Sequence, residues 1–127
     1  MRLGFINVFV SDLEAAIEFY TQVFGLTLID AEVDHGYARL QSSPLPLSLE
    51  VTSDQSRLGR HTGIGLMVND LTAAYEQLTE RGASFPMPPT RQPWGGRLAL
   101  VEDQDGNVFY LDQGEGHSYG KQTSTRK

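Results

Sequence analysis

The sequence contains no cysteine, which excludes disulfide cross-links, thiolate metal ligands and a cysteine nucleophile. Basic residues are also few: 10 Lys and Arg stand against 16 Asp and Glu, giving a net charge of −6. A generic nucleic-acid-binding protein needs a positively charged surface, so nucleic acid is not an expected partner. No apolar run is long enough for a membrane span, and no signal-peptide pattern is present. We therefore expect a soluble, cytoplasmic protein.

The composition is that of a folded protein. Hydrophobic residues make up 39% of the 127 residues and charged residues 20%, which is enough apolar side chain to bury a core and argues against global disorder. This length suits one ordinary domain or two half-size modules that share a core.

The sequence contains an internal repeat with an offset of 58 residues. Residues 10–18, VSDLEAAIE, align with residues 68–76, VNDLTAAYE, and six of the nine positions are identical. Two copies of one supersecondary unit explain this pattern. A solenoid is excluded because it needs three or more copies.

Each copy is predicted to form a strand, a helix and three further strands. Ser11 and Glu14 have the spacing of a capping box at the start of the first helix. Gly25 and Gly82 are expected to end the two helices, and Asp105-Gly106 predicts a hairpin. The later strands are predicted at 26–31, 36–41 and 46–52 in the first copy and at 83–87, 97–102 and 107–112 in the second.

These elements predict an α+β fold made of two βαβββ modules. The expected divisions are a first module at 1–53, a linker at 54–61, a second module at 62–113 and a polar C-terminal tail at 114–127.

The predicted strands have one aliphatic face and one mixed face, because alternate residues of a strand point to opposite sides. The aliphatic face is expected to carry the helices. Phe5, Phe9, Met67 and Tyr110 lie on the mixed face, together with polar residues and glycine, and are poor choices for contact with water. This favours a ligand cleft. A half-solvated sheet without a ligand is the alternative.

Several motifs occur in order on this duplicated frame: VFVSDLE at 8–14, FY at 19–20 before FG at 24–25, PWGGR at 93–97 and DQDGN at 103–107. Over residues 4–113 the chain thereby resembles the vicinal oxygen chelate superfamily. That superfamily includes glyoxalase I, extradiol dioxygenases, fosfomycin-resistance enzymes and metal-free bleomycin-resistance proteins. The resemblance implies a glyoxalase/bleomycin-resistance-like fold, in which a curved mixed sheet surrounds a cleft and the helices lie on its outer face.

The resemblance also implies where metal-dependent members hold a divalent ion. The four ligand positions fall on Phe5, Glu50, Gly63 and Tyr110. Phenylalanine and glycine side chains cannot ligate a metal and tyrosine is an uncommon donor, so Glu50 alone fits. His61 shares the face of Gly63 and is a possible substitute. We therefore expect no metal site and no cofactor.

Without these metal ligands, the chain resembles the metal-free branch of the superfamily, whose members bind a compound and work as homodimers with clefts at the interface. Trp94 is predicted to lie in a proline-rich loop at 86–96, where its indole could stack on a flat or cationic ligand. It could instead close the mouth of the cleft or pack on a partner subunit. The predicted ligand-binding residues are Phe5, Asn7, Phe9, Glu50, Met67, Trp94 and Tyr110.

The charge of the ligand is left open by the sequence. Arg39, Arg91 and Arg97 could anchor an anion or be ordinary surface residues. Glu50 and Asp112 would favour a cation.

Three functions are compatible with these observations, and no catalytic residue can be named. The first is a metal-independent small-molecule-binding protein, for an antibiotic or aromatic compound. The second is a metal-dependent glyoxalase-like lyase or dioxygenase with an altered metal site. The third is an accessory protein whose sheet face binds another protein.

Overall fold

The computed structural model describes residues 1–114 and divides them between two compact units. Unit 1 comprises Met1–Arg60 together with Asp103–Asn107, and unit 2 comprises His61–Glu102 and the chain from Val108 onward. Apart from its first residue, the predicted C-terminal tail lies outside the described residues.

Unit 1 contains one helix and a four-stranded mixed sheet. Its elements are β1 (Ile6–Val10), α1 (Leu13–Gln22), β2 (Thr27–Glu32), β3 (Tyr37–Gln41) and β4 (Leu47–Val51). The strand order is β1-β4-β3-β2, with β1 parallel to β4 and the other pairs antiparallel. Two short 3₁₀ helices lie at Val33–His35 and Gln55–Arg57.

Unit 2 repeats this order of elements. Its elements are β5 (His61–Met67), α2 (Leu71–Glu80), β6 (Ser84–Arg91), β7 (Arg97–Glu102) and β8 (Val108–Asp112). The strand order is β5-β8-β7-β6, and the β5–β8 pair is the parallel one. The predicted α+β fold of two βαβββ modules is confirmed, with a separate four-stranded sheet in each unit. None of the helices within residues 1–114 could span a membrane.

The capping residues of the two helices are aspartates. The Asp12 carboxylate accepts the backbone N–H of Ala15 at 3.1 Å, and Asp70 does the same for Ala73 at 3.0 Å. The predicted Ser11 cap is therefore wrong, because Asp12 occupies the N-cap position. The repeat contained this signal, since both copies carry aspartate there and only one carries serine. The helices end at Gln22 and Glu80, shortly before the predicted glycines.

Each helix buries its apolar face against the sheet of its own unit. In α1 the buried residues are Leu13, Ala16 and Tyr20, and the helix contacts β2, β3 and β4. In α2 they are Leu71 and Leu78. The fully buried strand residues include Val10, Leu40, Leu49, Val101, Phe109 and Leu111.

The proline-rich segment is a strand rather than a loop for most of its length. We predicted a strand at 83–87 and a loop at 86–96, whereas β6 continues through Pro86, Pro88 and Pro89 to Arg91. It lies at the edge of its sheet, where proline is tolerated because the outer side of the strand needs no N–H donor. The pairing with β7 is irregular at two places along this stretch.

Candidate functional site

The larger described cavity belongs to unit 2 and has a volume of about 670 Å³. Strands β5, β7 and β8 and the turn between β6 and β7 contribute its lining. The lining residues are Gly63, Gly65, Met67, Gln92, Trp94, Leu98, Tyr110 and Asp112.

Strand alternation places these side chains. Along β5, His61, Gly63, Gly65 and Met67 are more exposed than the residues between them. Gly65 lies beside Tyr110 on β8, and Met67 lies beside Asp112. Neighbouring residues of paired strands point to the same face of a sheet, so Met67 and Tyr110 share the cavity face. Met67 is 50% and Tyr110 36% exposed.

A hydrogen-bonded turn holds Trp94 at this cavity. The N–H of Gln92 donates to the carbonyl of Gly96 at 2.7 Å, and the N–H of Gly95 donates to Gln92 at 2.9 Å. The guanidinium of Arg91 donates to the carbonyl of Gly95 at 2.7 Å. Arg91 thus stabilises the turn, and the Trp94 indole lines the cavity with 43% of the residue exposed.

The charge at the unit 2 cavity is negative. Among the described residues that line it, Asp112 is the one with a formal charge. It is only 4% exposed, and its carboxylate accepts the N–H of Gly114 at 2.8 Å. Arg91 and Arg97, which we considered as anion anchors, are not among the lining residues. This cavity therefore favours a neutral or cationic ligand over an anionic one.

Unit 1 has its own cavity of about 430 Å³, and more of the residues that line it are polar or charged than in unit 2. Phe5, Asn7 and Glu50 line it, and the Asn7 amide donates to the Glu50 carboxylate at 3.1 Å. The Arg39 guanidinium donates to both carboxylate oxygens of Asp30, at 3.1 and 2.7 Å, and holds the pKa of that carboxyl below its ordinary value. Arg39 is therefore already paired with a carboxylate of its own chain.

Phe9 and His61, which the sequence suggested as ligand-binding and metal-binding residues, contact other residues of their own units. The guanidinium of Arg57 lies 5.1 Å from the centre of the Phe9 ring, and Phe9 is not among the described lining of the unit 1 cavity. In unit 2, Nδ1 of His61 accepts the N–H of Gly63 at 3.0 Å, and its ring lies 4.7 Å from that of Tyr110.

The residues at the four positions that the resemblance implied for metal ligands cannot form a metal site. Phe5 and Gly63 offer no donor atom, and the Glu50 carboxylate already accepts a hydrogen bond from Asn7. A catalytic divalent ion needs roughly three protein donors, which these four positions do not supply. Within residues 1–114, no three His, Asp or Glu side chains form a group able to hold a metal.

The predicted ligand-binding set omitted several cavity residues, among them Gly65, Gln92 and Leu98 in unit 2 and Tyr37 and Ser48 in unit 1. Gly65 could have been selected, because it shares the strand parity of Met67. Gln92 could not have been selected, because its place at the cavity follows from the end of β6 at Arg91, which the sequence did not predict.

Comparison with known proteins gives a consistent family. The model of the Glyoxalase/Bleomycin resistance protein/Dioxygenase superfamily matches residues 2–111. A lactoylglutathione lyase of Arabidopsis thaliana is 30% identical over 116 residues, which cover 82% of this chain but 41% of that protein. A bleomycin resistance protein of Klebsiella pneumoniae is 29% identical over 112 residues, covering 82% of this chain and 86% of that one.

Among solved structures, the antibiotic-binding protein TnmS3 from Streptomyces sp. CB03234 is similar, with a TM-score of 0.71 and 32% sequence identity. The match covers 89% of this chain and 95% of that chain. The chain therefore belongs to the glyoxalase/bleomycin resistance protein/dioxygenase superfamily.

Proposed function

We propose that this protein binds a small molecule with a flat aromatic ring system, without a metal ion and without making or breaking a bond. The observation that carries the proposal is the unit 2 cavity, where Trp94, Tyr110 and Met67 line one space of about 670 Å³. This volume lies within the range of small-molecule sites, which are mostly apolar with a few polar groups.

The chemistry of the lining favours an aromatic ligand. Stacking of a ligand ring on an aromatic side chain contributes about 0.5–1.5 kcal/mol beyond the burial of apolar area. Met67 adds a polarisable thioether that packs well on ring edges. The Asp112 carboxylate favours a ligand with a positive charge, which the aromatic rings would also attract.

The relatives support a ligand of antibiotic type. One is named for bleomycin resistance, and another, at 32% identity, is described as antibiotic-binding. No group of metal-ligating side chains occurs within residues 1–114, which favours metal-independent binding over a metal-dependent lyase or dioxygenase. We further propose that the protein works as a cytoplasmic homodimer and that Phe5, Asn7 and Glu50 contact a ligand in the separate cavity of unit 1.

Fluorescence tests the binding proposal, because Trp94 is the single tryptophan of the chain. Titration with bleomycin and with proflavine, a planar cationic tricycle, should quench the emission with saturation. By calorimetry, Trp94→Ala should weaken binding about tenfold, which corresponds to about 1.4 kcal/mol. The control Val33→Ala removes an exposed apolar side chain outside the described cavities and should bind as wild type. If wild type binds neither probe, the proposal is wrong.

The lyase or dioxygenase alternative is tested by metal content. Mass spectrometry of protein purified without chelators should find no stoichiometric metal in wild type or in Glu50→Ala. About one ion per chain that disappears in Glu50→Ala would restore the enzyme interpretation. Light scattering coupled to gel filtration should give the mass of two chains, and a mass of one chain would contradict the homodimer.

A further inference from the structure

Gly65 lies at a position where nothing in the described chain requires a glycine. Its backbone does not have a positive φ, so the conformation suits any residue. A Cβ atom built there meets no atom within 4 Å. Gly63 differs, because its φ of 74° accounts for a glycine within the irregular pairing between His61 and Gly65.

The missing side chain has a cost for the strand. Glycine in a strand interior gives up packing and conformational entropy, and it often marks a site where a ligand or another backbone approaches closely. Regular pairing of β5 with β8 begins at Gly65 and continues through Met67. The glycine therefore lies in a regular part of the strand and does not form the bulge.

The space above Gly65 is part of the unit 2 cavity. Gly65 lines that cavity, as do its strand neighbours Gly63 and Met67 and its register partner Tyr110. Gly63 and Gly65 both line the cavity without a side chain, and a Cβ atom built at either one meets no atom within 4 Å. The peptide backbone is therefore bare along this stretch of β5.

We infer that Gly65 determines ligand specificity by leaving this strip of backbone open, so that a planar, unbranched ring system can lie against β5 beside Tyr110. The inference rests on the proposed function and deepens it by defining the shape of the ligand. A ligand with a bulky substituent on the face that meets β5 would be excluded by the backbone itself. A side chain at position 65 would exclude the planar ligand in the same way.

Two substitutions of graded size test this role. Gly65→Ala and Gly65→Val should retain or raise the melting temperature, because each adds a side chain into open space on a regular strand. Proflavine affinity, measured by calorimetry, should fall about threefold in Gly65→Ala and at least tenfold in Gly65→Val. The control Ser84→Val places the same valine side chain at an exposed strand position of unit 2 that does not line the cavity, and it should bind as wild type.

The outcomes separate this inference from the proposed function. If wild type and Gly65→Val bind proflavine equally, the inference is overturned while the proposed function stands. If Gly65→Ala lowers the melting temperature, the glycine has a structural role and the inference is again overturned. If wild type binds neither proflavine nor bleomycin, the proposed function fails, and the inference fails with it.

Discussion

The two units share a framework and differ at the positions that face their cavities. Asp12 and Asp70, which are 58 residues apart, cap the two helices in the same way. At the same offset, Asn7 of unit 1 corresponds to Gly65 of unit 2. The Asn7 amide bonds to Glu50, whereas Gly65 leaves its cavity open. The same backbone plan therefore supports a polar, internally hydrogen-bonded cavity in one unit and an open aromatic cavity in the other.

The cores differ as well. Tyr20 of α1 corresponds to Leu78 of α2, and both are buried. The Tyr20 hydroxyl donates to the carboxylate of Asp103 at 2.6 Å, and Asn107 donates to the same carboxylate at 2.9 Å. Unit 1 thus has a buried polar network where the corresponding helix residue of unit 2 is aliphatic. Buried networks of this kind stabilise a structure only when their members are satisfied.

The largest effect that we predict comes from removing the centre of this network. Asp103→Ala deletes the acceptor for Tyr20, for the Asn107 amide and for the backbone N–H groups of Asp105 and Asn107. Since each buried donor left unsatisfied costs about 1–3 kcal/mol, the free energy of unfolding should fall by about 3 kcal/mol or more. Chemical denaturation measures this free energy. The control Asp34→Ala, at an exposed aspartate, should change the free energy of unfolding by less than about 0.5 kcal/mol. Equal losses in the two variants would contradict a special role for Asp103.

Tyr20→Phe should give a smaller loss, about 1–3 kcal/mol, because one partner of the network is removed. Burial, and next the charge of Asp103, raise the pKa of the Tyr20 hydroxyl far above its ordinary value of 10.0. Above about pH 10 the unfolded tyrosine loses its proton while the folded one keeps it, so stability falls as pH rises. Urea midpoints measured on both sides of pH 10 should decline less in Tyr20→Phe than in wild type. Equal declines of the urea midpoint in Tyr20→Phe and in wild type would show that Tyr20 does not cause the loss of stability above about pH 10.

The shared framework predicts equal effects in the two units. Asp12→Ala and Asp70→Ala each remove a single helix cap, and each should lower the free energy of unfolding by about 1 kcal/mol. Denaturant titration of both variants measures the difference between them. A loss confined to one variant would mean that the two caps do not contribute equally despite their matching geometry.

The smallest effect concerns the Arg39–Asp30 pair of unit 1, which is exposed to solvent. The hydrogen bond from Arg39 lowers the pKa of Asp30 below its ordinary value of 3.8. The pair therefore contributes stability above that value, and the contribution is lost as pH falls through the lower folded pKa. In Arg39→Gln, the Asp30 pKa followed by carboxyl NMR should rise toward 3.8. An unchanged pKa would show that Arg39 does not lower it.

Much of the fold could be predicted because its signals are local. The offset of 58 between residues 10–18 and 68–76 predicted two copies of one unit, and strand alternation placed Met67 and Tyr110 on one face. The prediction of a loop at 86–96 was partly wrong, because composition does not reveal that β6 is an edge strand, which tolerates proline. The bond between Tyr20 and Asp103 joins residues 83 positions apart, and no periodicity or motif connects them.

The site was predicted less completely for the same reason. Trp94 was selected by residue type, and it lines the unit 2 cavity. Arg39 was considered as an anion anchor, but its pairing with Asp30 depends on a strand register that the sequence does not specify. Strand alternation placed Gly65 on the mixed face, but it was not selected as a ligand-binding residue, because the open space above it is visible only in the structure.

The turn at Asp103–Asn107 has a consequence for how the chain folds during synthesis. Ser11 bonds to Asp105 through its backbone N–H and its hydroxyl, and the Asn107 amide bonds to the carbonyl of Phe9. The N-terminal half leaves the ribosome well before these partners exist, and contacts so distant in sequence slow folding. A nascent chain ending near Arg60 would lack the Asp103 carboxylate for Tyr20. Unit 1 is therefore completed late, after nearly all of the described chain has been made.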